Sequence, residues 1–266
     1  MVIDNTELIR SLLWFPPKSS DGFVMDRIEH EKAAYRTMTG NSLCLDSREC
    51  FYVVQLLQRM KDNPVKQFMN ANLRNNSNRT IQQFQIYSLE DWDLKIPTIV
   101  DMAKYYQARV YIDLNLKDSK DVFAQLFRNM SERFSTCNYS KLHRIYNESV
   151  GQTRTMRNTQ KRWLVDIDTH DANLISCVKS FILSLRGGSD TRFETDASGK
   201  RTYYADIVAE IPTKNGVHLI TTTFQKDAFM KKFPELDVHT SNPTVAWMET
   251  DWSSAENRKE NGNERD

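Results

Sequence analysis

The chain has 266 residues, 11% of them aromatic, and a formal net charge of +1. That length allows one large domain or two small ones with a packed core, and the near-neutral balance leaves any contact with a polyanion to local patches. No apolar run reaches membrane-spanning length, and the four cysteines (Cys44, Cys50, Cys137, Cys177) show neither CxxC pairing nor zinc-ligand spacing.

Met1 to Arg10 has no basic segment followed by an apolar one, so no secretory signal is expected. A cytoplasmic, reduced protein is the expectation. Trp14-Phe15-Pro16-Pro17 closes the first stretch, because two prolines prevent a helix from continuing. Helices are predicted over 22–39 and 48–73. In the second, the apolar residues of Phe51 to Met60 cover one broad helical face. Asn75 to Arg79 is a polar loop. Residues 1–75 are therefore expected to form a helical N-terminal region.

The pattern then changes. Gln82 to Tyr87 alternates like a strand. Ser88 is a candidate N-cap, with acids in the first turn of a helix to about Tyr106. Arg109 to Leu114 is a second strand, and Asp118 or Ser119 caps a helix to about Phe134. This β-α-β-α order suggests an α/β layer with helices packed on a sheet. Residues 151–162 carry Arg154, Arg157, Lys161 and Arg162 with no acid among them. A solvated loop and a phosphate-contacting segment both fit that run.

Trp163-Leu164-Val165-Asp166-Ile167-Asp168 follows. Three apolar residues read as a buried strand, and alternation sends Asp166 and Asp168 to one face. Two adjacent carboxylates repel each other, and a divalent cation between them relieves that repulsion. Oxygen-only ligands favour Mg²⁺ or Mn²⁺ over zinc. A strand that simply ends in solvent with two acids is the alternative. Downstream, a helix over 173–185 is ended by Gly187-Gly188, and Ala197 to Lys200 is a turn. Tyr203 to Ile211 is a strand, and Pro212-Thr213-Lys214-Asn215-Gly216 a tight turn, since Asn-Gly tolerates positive φ. Val217 to Thr223 returns as the hairpin partner, carrying His218. A short helix over 225–233, an acid between apolar residues at Leu236-Asp237-Val238 and a strand over 245–248 complete the core. The tail 253–266 reads as disordered. The fold class expected is α+β: a helical N-terminal region, then a core over 76–252 in which an α/β unit precedes a mixed or antiparallel sheet carrying the acidic pair.

Apolar residues running into Asp166-x-Asp168, a small residue-x-His at Gly216 to His218, and apolar-Asp237-apolar together resemble the archaeo-eukaryotic primase superfamily. The single-chain primase-polymerases of phages and plasmids are the most similar kind. The resemblance covers roughly 105–250 and implies a divalent-metal-dependent nucleotidyltransferase acting in replication of a phage or mobile element. It implies Asp166, Asp168 and Asp237 as catalytic acids on Mg²⁺ or Mn²⁺, with Asp251 a rival third ligand, and His218 on the phosphates of the incoming nucleotide. Lys214 and Asn215, with Arg154, Arg157, Lys161 and Arg162, would bind nucleotide or nucleic acid. The implied partners are nucleic acid, nucleoside triphosphates and a separate helicase. The family favours Ser where Gly216 stands, and Asp237 follows His218 closely. A metal-dependent nuclease or phosphohydrolase needs the same acids, and a non-catalytic nucleic-acid-binding replication protein would keep the fold. A haloacid-dehalogenase-type phosphatase also uses Asp-x-Asp, but wants Thr or Val where His170 stands.

Overall fold

A computed structural model describes residues 2–15, 50–59, 79–139, 142–156, 161–188, 192–196, 199–240 and 243–249. The helix expected over 22–39, the tail 253–266, Arg157 and Asp251 lie outside the described residues. The described chain is α+β, with six helices and antiparallel sheets.

The first sheet has five strands: β1 (Val2–Asp4), β2 (Cys50–Gln58), β3 (Arg79–Ile86), β4 (Arg109–Asp118) and β11 (Thr244–Glu249), in the spatial order β1-β11-β4-β2-β3. The helix expected over 48–73 is, in its described part, the strand β2. Its residues Cys50 to Val54 are buried without interruption, and β2 is hydrogen-bonded on both edges, to β3 and β4. A run apolar on every side suits a strand covered on both faces as well as a broad helical face, and its β-branched and aromatic content favours the strand.

β2 runs antiparallel to both β3 and β4, so those two are parallel with β2 between them. The segment joining them, α2 (Leu89–Tyr106), makes a crossover that skips a strand, a split β-α-β unit. The layer expected from the β-α-β-α order is thus present, but its sheet is antiparallel between neighbours. Ser88 caps α2, its hydroxyl accepting from the Asp91 amide at 3.1 Å, and Gln107 closes it in the left-handed region at φ 52°. α2 buries Trp92, Ile99 and Ala103 against Val54, Leu56, Val110 and Ile112, with Ile9 of α1 (Thr6–Leu12) in the same core. Each such fully buried aliphatic side chain contributes about 1.5–3 kcal/mol. α3 (Ser119–Ser135), N-capped by Asp118, and α4 (Ile145–Gln152) send Val122 and Val150 onto Phe51 and Val53.

The second sheet has the order β10-β5-β9-β8, from β5 (Trp163–Ile167), β8 (Ile207–Pro212), β9 (Val217–Thr221) and β10 (Asp237–His239). The strand expected over 203–211 is broken at Ala205-Asp206. Its first half is β7 (Arg201–Tyr204), which pairs with β6 (Arg192–Thr195) in a separate two-stranded ribbon. α5 (Ala172–Ser184) stops before the glycines, with Leu185 extended, and Arg186 and Gly187 instead bridge to Tyr204 and Phe224. The two faces of the second sheet go to different cores. Val165, Ile167, Leu219 and Val238 pack on Val178 and Ile182 of α5 and Phe229 of α6 (Lys226–Lys232). Leu164, Ile211 and Ile220, on the other face, join the core of the first sheet. Asp166 lies on that second, inter-sheet face, two residues along β5 from Leu164.

Candidate functional site

Where the two sheets diverge they leave a cleft of about 260 Å³. Antiparallel register explains its floor. Asp166 of β5 lies directly opposite His218 of β9 on one side and Asp237 of β10 on the other, so the three share a row on one face. Asp166, Asp168 and His218 line the cleft, with Thr213, Lys214 and Asn215 from the β8–β9 turn. Asp237 does not: it is exposed and stands outside the lining residues.

The turn reaches the cleft because Gly216 carries no side chain. A Cβ there would sit 1.9 Å from the Ile167 carbonyl oxygen, 2.6 Å from the Thr169 nitrogen and 2.7 Å from the Thr169 oxygen. Only glycine lets the hairpin close against the end of β5, which places Lys214 and Asn215 beside the acids. A serine at this position, as in the primase pattern, has no room. The Thr213 hydroxyl accepts from the Gly216 amide at 3.1 Å, and the Thr213 amide donates to the Gly216 carbonyl at 2.9 Å.

His218 Nε2 is 3.4 Å from Asp166 Oδ1, and its Nδ1 is 2.9 Å from the Thr244 hydroxyl of β11. The imidazole holds the Asp166 carboxyl below the usual carboxylate range. Burial opposes this, and His239 and Arg59 add smaller favourable charge. At 3.4 Å the contact is more electrostatic than a formed hydrogen bond, and Asp166 Oδ1 is otherwise a buried acceptor without a partner.

The opposite wall comes from the first sheet: Arg59 at the end of β2, Arg109 and Tyr111 of β4, and Val245 and Met248 of β11. Arg109 donates to the Tyr111 hydroxyl at 3.3 Å, and Arg59 Nε is buried with no hydrogen-bond partner among the described residues. Sequence reasoning missed all three of Arg59, Arg109 and Tyr111. For two of them there was a signal, a strict alternation along β4 that puts Arg109, Tyr111, Asp113, Asn115 and Lys117 on one face. Arg59, at the end of a strand read as a helix, carried none.

The rest of that stripe holds the described flanks of the basic run. Lys117 donates to the Thr153 carbonyl at 2.9 Å and pairs with Asp113 at 3.4 Å. Asn115 exchanges hydrogen bonds with the Arg162 backbone at 2.9 and 3.0 Å. These contacts tie Thr153 and Arg162 to β4. The Arg162 guanidinium donates to the Leu12 carbonyl at 2.9 Å, and burial lowers its pKa. Arg162 is therefore built into the packing between α1 and β5. Arg154 is exposed and Lys161 half-buried, and neither lines the cleft.

Three cations (Arg59, Arg109, Lys214) and two carboxylates (Asp166, Asp168) line one cleft, Lys214 beside the acids and the two arginines opposite them. Among the described residues no three of His, Cys, Asp and Glu form a metal-holding group. The two carboxylates, with Asp166 Oδ1 making no hydrogen bond beyond its 3.4 Å approach to His218, fit a hard cation of the Mg²⁺ type, which takes one or two carboxylates and completes its shell with water and substrate phosphates. No helix among the described residues is long and apolar enough to cross a membrane. Comparison with family models, curated proteins and solved structures finds no match to this chain.

Proposed function

We propose that the cleft binds a nucleoside triphosphate with Mg²⁺ or Mn²⁺, and that the protein is a primase-polymerase-like nucleotidyltransferase acting on nucleic acid. The observation that carries this reading is the convergence of Asp166, Asp168, His218, Lys214 and Asn215, from separate strands and a turn, on one cleft. Arg59 and Arg109 on the facing sheet strengthen it, because an excess of cations over carboxylates suits a polyphosphate.

Asp166 and Asp168 would hold the divalent ion, whose chemistry is to acidify a primer 3′-hydroxyl and to stabilise the departing pyrophosphate. Lys214 and Arg109 approach the triphosphate from opposite walls and neutralise the charge that builds on its oxygens. His218 presents Nε2 to a phosphate, and Asn215 adds amide donors. Tyr111 and Met248 give the cleft a less polar flank on which a sugar or base can rest.

The decisive experiment is Mn²⁺-dependent primer extension by the double variant Asp166→Ala, Asp168→Ala. Extension falls to background if the reading holds, and an unchanged rate removes it. Running labelled DNA with Mn²⁺, with and without nucleotides, separates the classes: lengthening marks a polymerase, and shortening marks a nuclease using the same acids. Saturable triphosphate binding in calorimetry without either reaction would mark a binding protein.

A further inference from the structure

Thr244 contributes to this cleft from the other sheet without lining it. It opens β11, is 1% exposed, and its hydroxyl makes one hydrogen bond among the described residues, to His218 Nδ1 at 2.9 Å. The other ring nitrogen, Nε2, faces Asp166 Oδ1 at 3.4 Å. An ionised carboxylate only accepts, so the favourable neutral imidazole carries its proton on Nε2. Nδ1 is then a lone pair that needs a donor. The Thr244 hydroxyl is that donor, and at 1% exposure of Thr244 water has little access to replace it. The opposite tautomer would set the Nε2 lone pair against the carboxylate and leave the threonine proton without an acceptor.

We propose that Thr244 is the positioning residue for His218: its hydroxyl binds Nδ1 and fixes the ring's orientation, so that Nε2 stays turned to the cleft beside Asp166. His218 then holds Nε2 on the cleft side of the ring, where a phosphate oxygen would share it with Asp166 Oδ1. This rests on the triphosphate reading for its purpose, but not for its structural content. It also gives the junction of the two sheets a chemical role, since the positioning group and the positioned ring belong to different sheets.

The test uses full-length protein labelled with ¹⁵N in its five histidines, His218 being assigned by the variant His218→Gln. Long-range ¹H–¹⁵N spectra report which ring nitrogen carries the proton. The wild type shows an Nδ1 resonance shifted by its hydrogen bond, Thr244→Val moves it to the position of an unbonded ring nitrogen, and Thr244→Ser restores it. Calorimetry with a deoxynucleoside triphosphate and Mg²⁺ shows roughly three- to tenfold weaker binding in the valine variant, the size expected for one hydrogen bond, and recovery in the serine variant. An unchanged His218 signature in Thr244→Val, or no recovery in Thr244→Ser, overturns the proposal. If Thr244→Val does not fold, Thr244→Ala is read in the same spectra against the serine variant. Absence of triphosphate binding by the wild type would remove the nucleotidyltransferase reading, while the imidazole spectra still decide the role of Thr244.

Discussion

Asp166 is the residue at which the site and the stability of the fold meet. Its folded pKa lies below that of an unfolded aspartate, about 3.9, chiefly because of His218. A depressed carboxylate contributes stability that is fully present above the unfolded pKa and is lost as pH falls through the folded one. The gap between the urea unfolding midpoints of wild type and Asp166→Asn should therefore be present at pH 5 and close as pH falls below about 4. A gap that stays constant down to pH 3 would mean that the imidazole does not hold this acid. Gly216 is the second such residue. Gly216→Ala drives a methyl into the backbone at Ile167 and Thr169, atoms with no rotamer to escape through. The expected loss is about 2–3 kcal/mol in urea unfolding, the upper end for overpacking. Amide shifts confined to 213–218 and 166–169 would locate the damage at the turn; a variant as stable as wild type would show that the hairpin has slack.

At the scale of elements, two buried polar devices set the geometry. Asn5, between β1 and α1, donates from Nδ2 to the Pro212 carbonyl at 3.0 Å and to the Val245 carbonyl at 3.1 Å. It ties the turn-bearing end of β8 to β11. Asn5→Ala leaves both carbonyls short of a donor in a buried place and should cost about 1–3 kcal/mol. Triphosphate affinity should fall with it, because the turn that carries Lys214 loses its anchor. The Lys117–Asp113 pair is the second device, with side chains 5% and 12% exposed. Lys117→Met leaves the Asp113 carboxylate with only the Asn115 donors and takes the ammonium from the Thr153 carbonyl, with an expected cost of about 3–5 kcal/mol. Adding Asp113→Leu removes the buried charge but also the acceptor of the Asn115 amide, so recovery should be partial. Thermal or urea unfolding of the three variants measures both. These elements also mark how far the sequence could be read. α2, α3 and the β8–β9 hairpin were legible because their signals are local: Ser88 and Asp118 at helix starts, and Asn215-Gly216 at a turn, although neither residue takes the positive φ expected there and Gly216 is needed for its missing Cβ instead. Asp166, Asp168, His218, Lys214 and Asn215 could be picked out as neighbours in one cleft for the same reason, each sitting within a few residues of a strand end, whereas Asp237, read as a third acid, stands outside it. β2 was not legible as a strand, because a run buried on both faces has no periodicity to show. Arg59 and Arg109 were missed as site residues because they reach the cleft only through the pairing of β2, β4 and β11, which brings residues 59, 109 and 248 to one wall. No window along the chain contains that contact. Arg162 was placed with the cleft's cations by proximity to Asp166, yet its side chain turns to Leu12.

At the scale of the whole molecule, the cleft exists only while both sheets stay docked. Its acids and histidine belong to the second sheet, and two of its three cations belong to the first. Leu164, Ile211 and Ile220 tie the second sheet into the first sheet's core, while Val165, Ile167 and Leu219 face the α5–α6 core. One sheet therefore serves two cores, and neither core can open without exposing it. The expected behaviour is a single cooperative unfolding unit. In native-state hydrogen exchange, the central amides of β2 and β4 and those of β5 and β9 should share one opening free energy. Ile182→Ala, fully buried against α6 and far from the first core, should lower both by the same 2–5 kcal/mol or so. Exchange that speeds up only in β5 and β9 would mean that the second sheet opens alone. In that case the arginines would leave the acids in partially open molecules, and triphosphate affinity should fall before global stability does. If the two sheets open as one, affinity and stability decline together across a series of core variants, because the cleft is then a property of the docked pair.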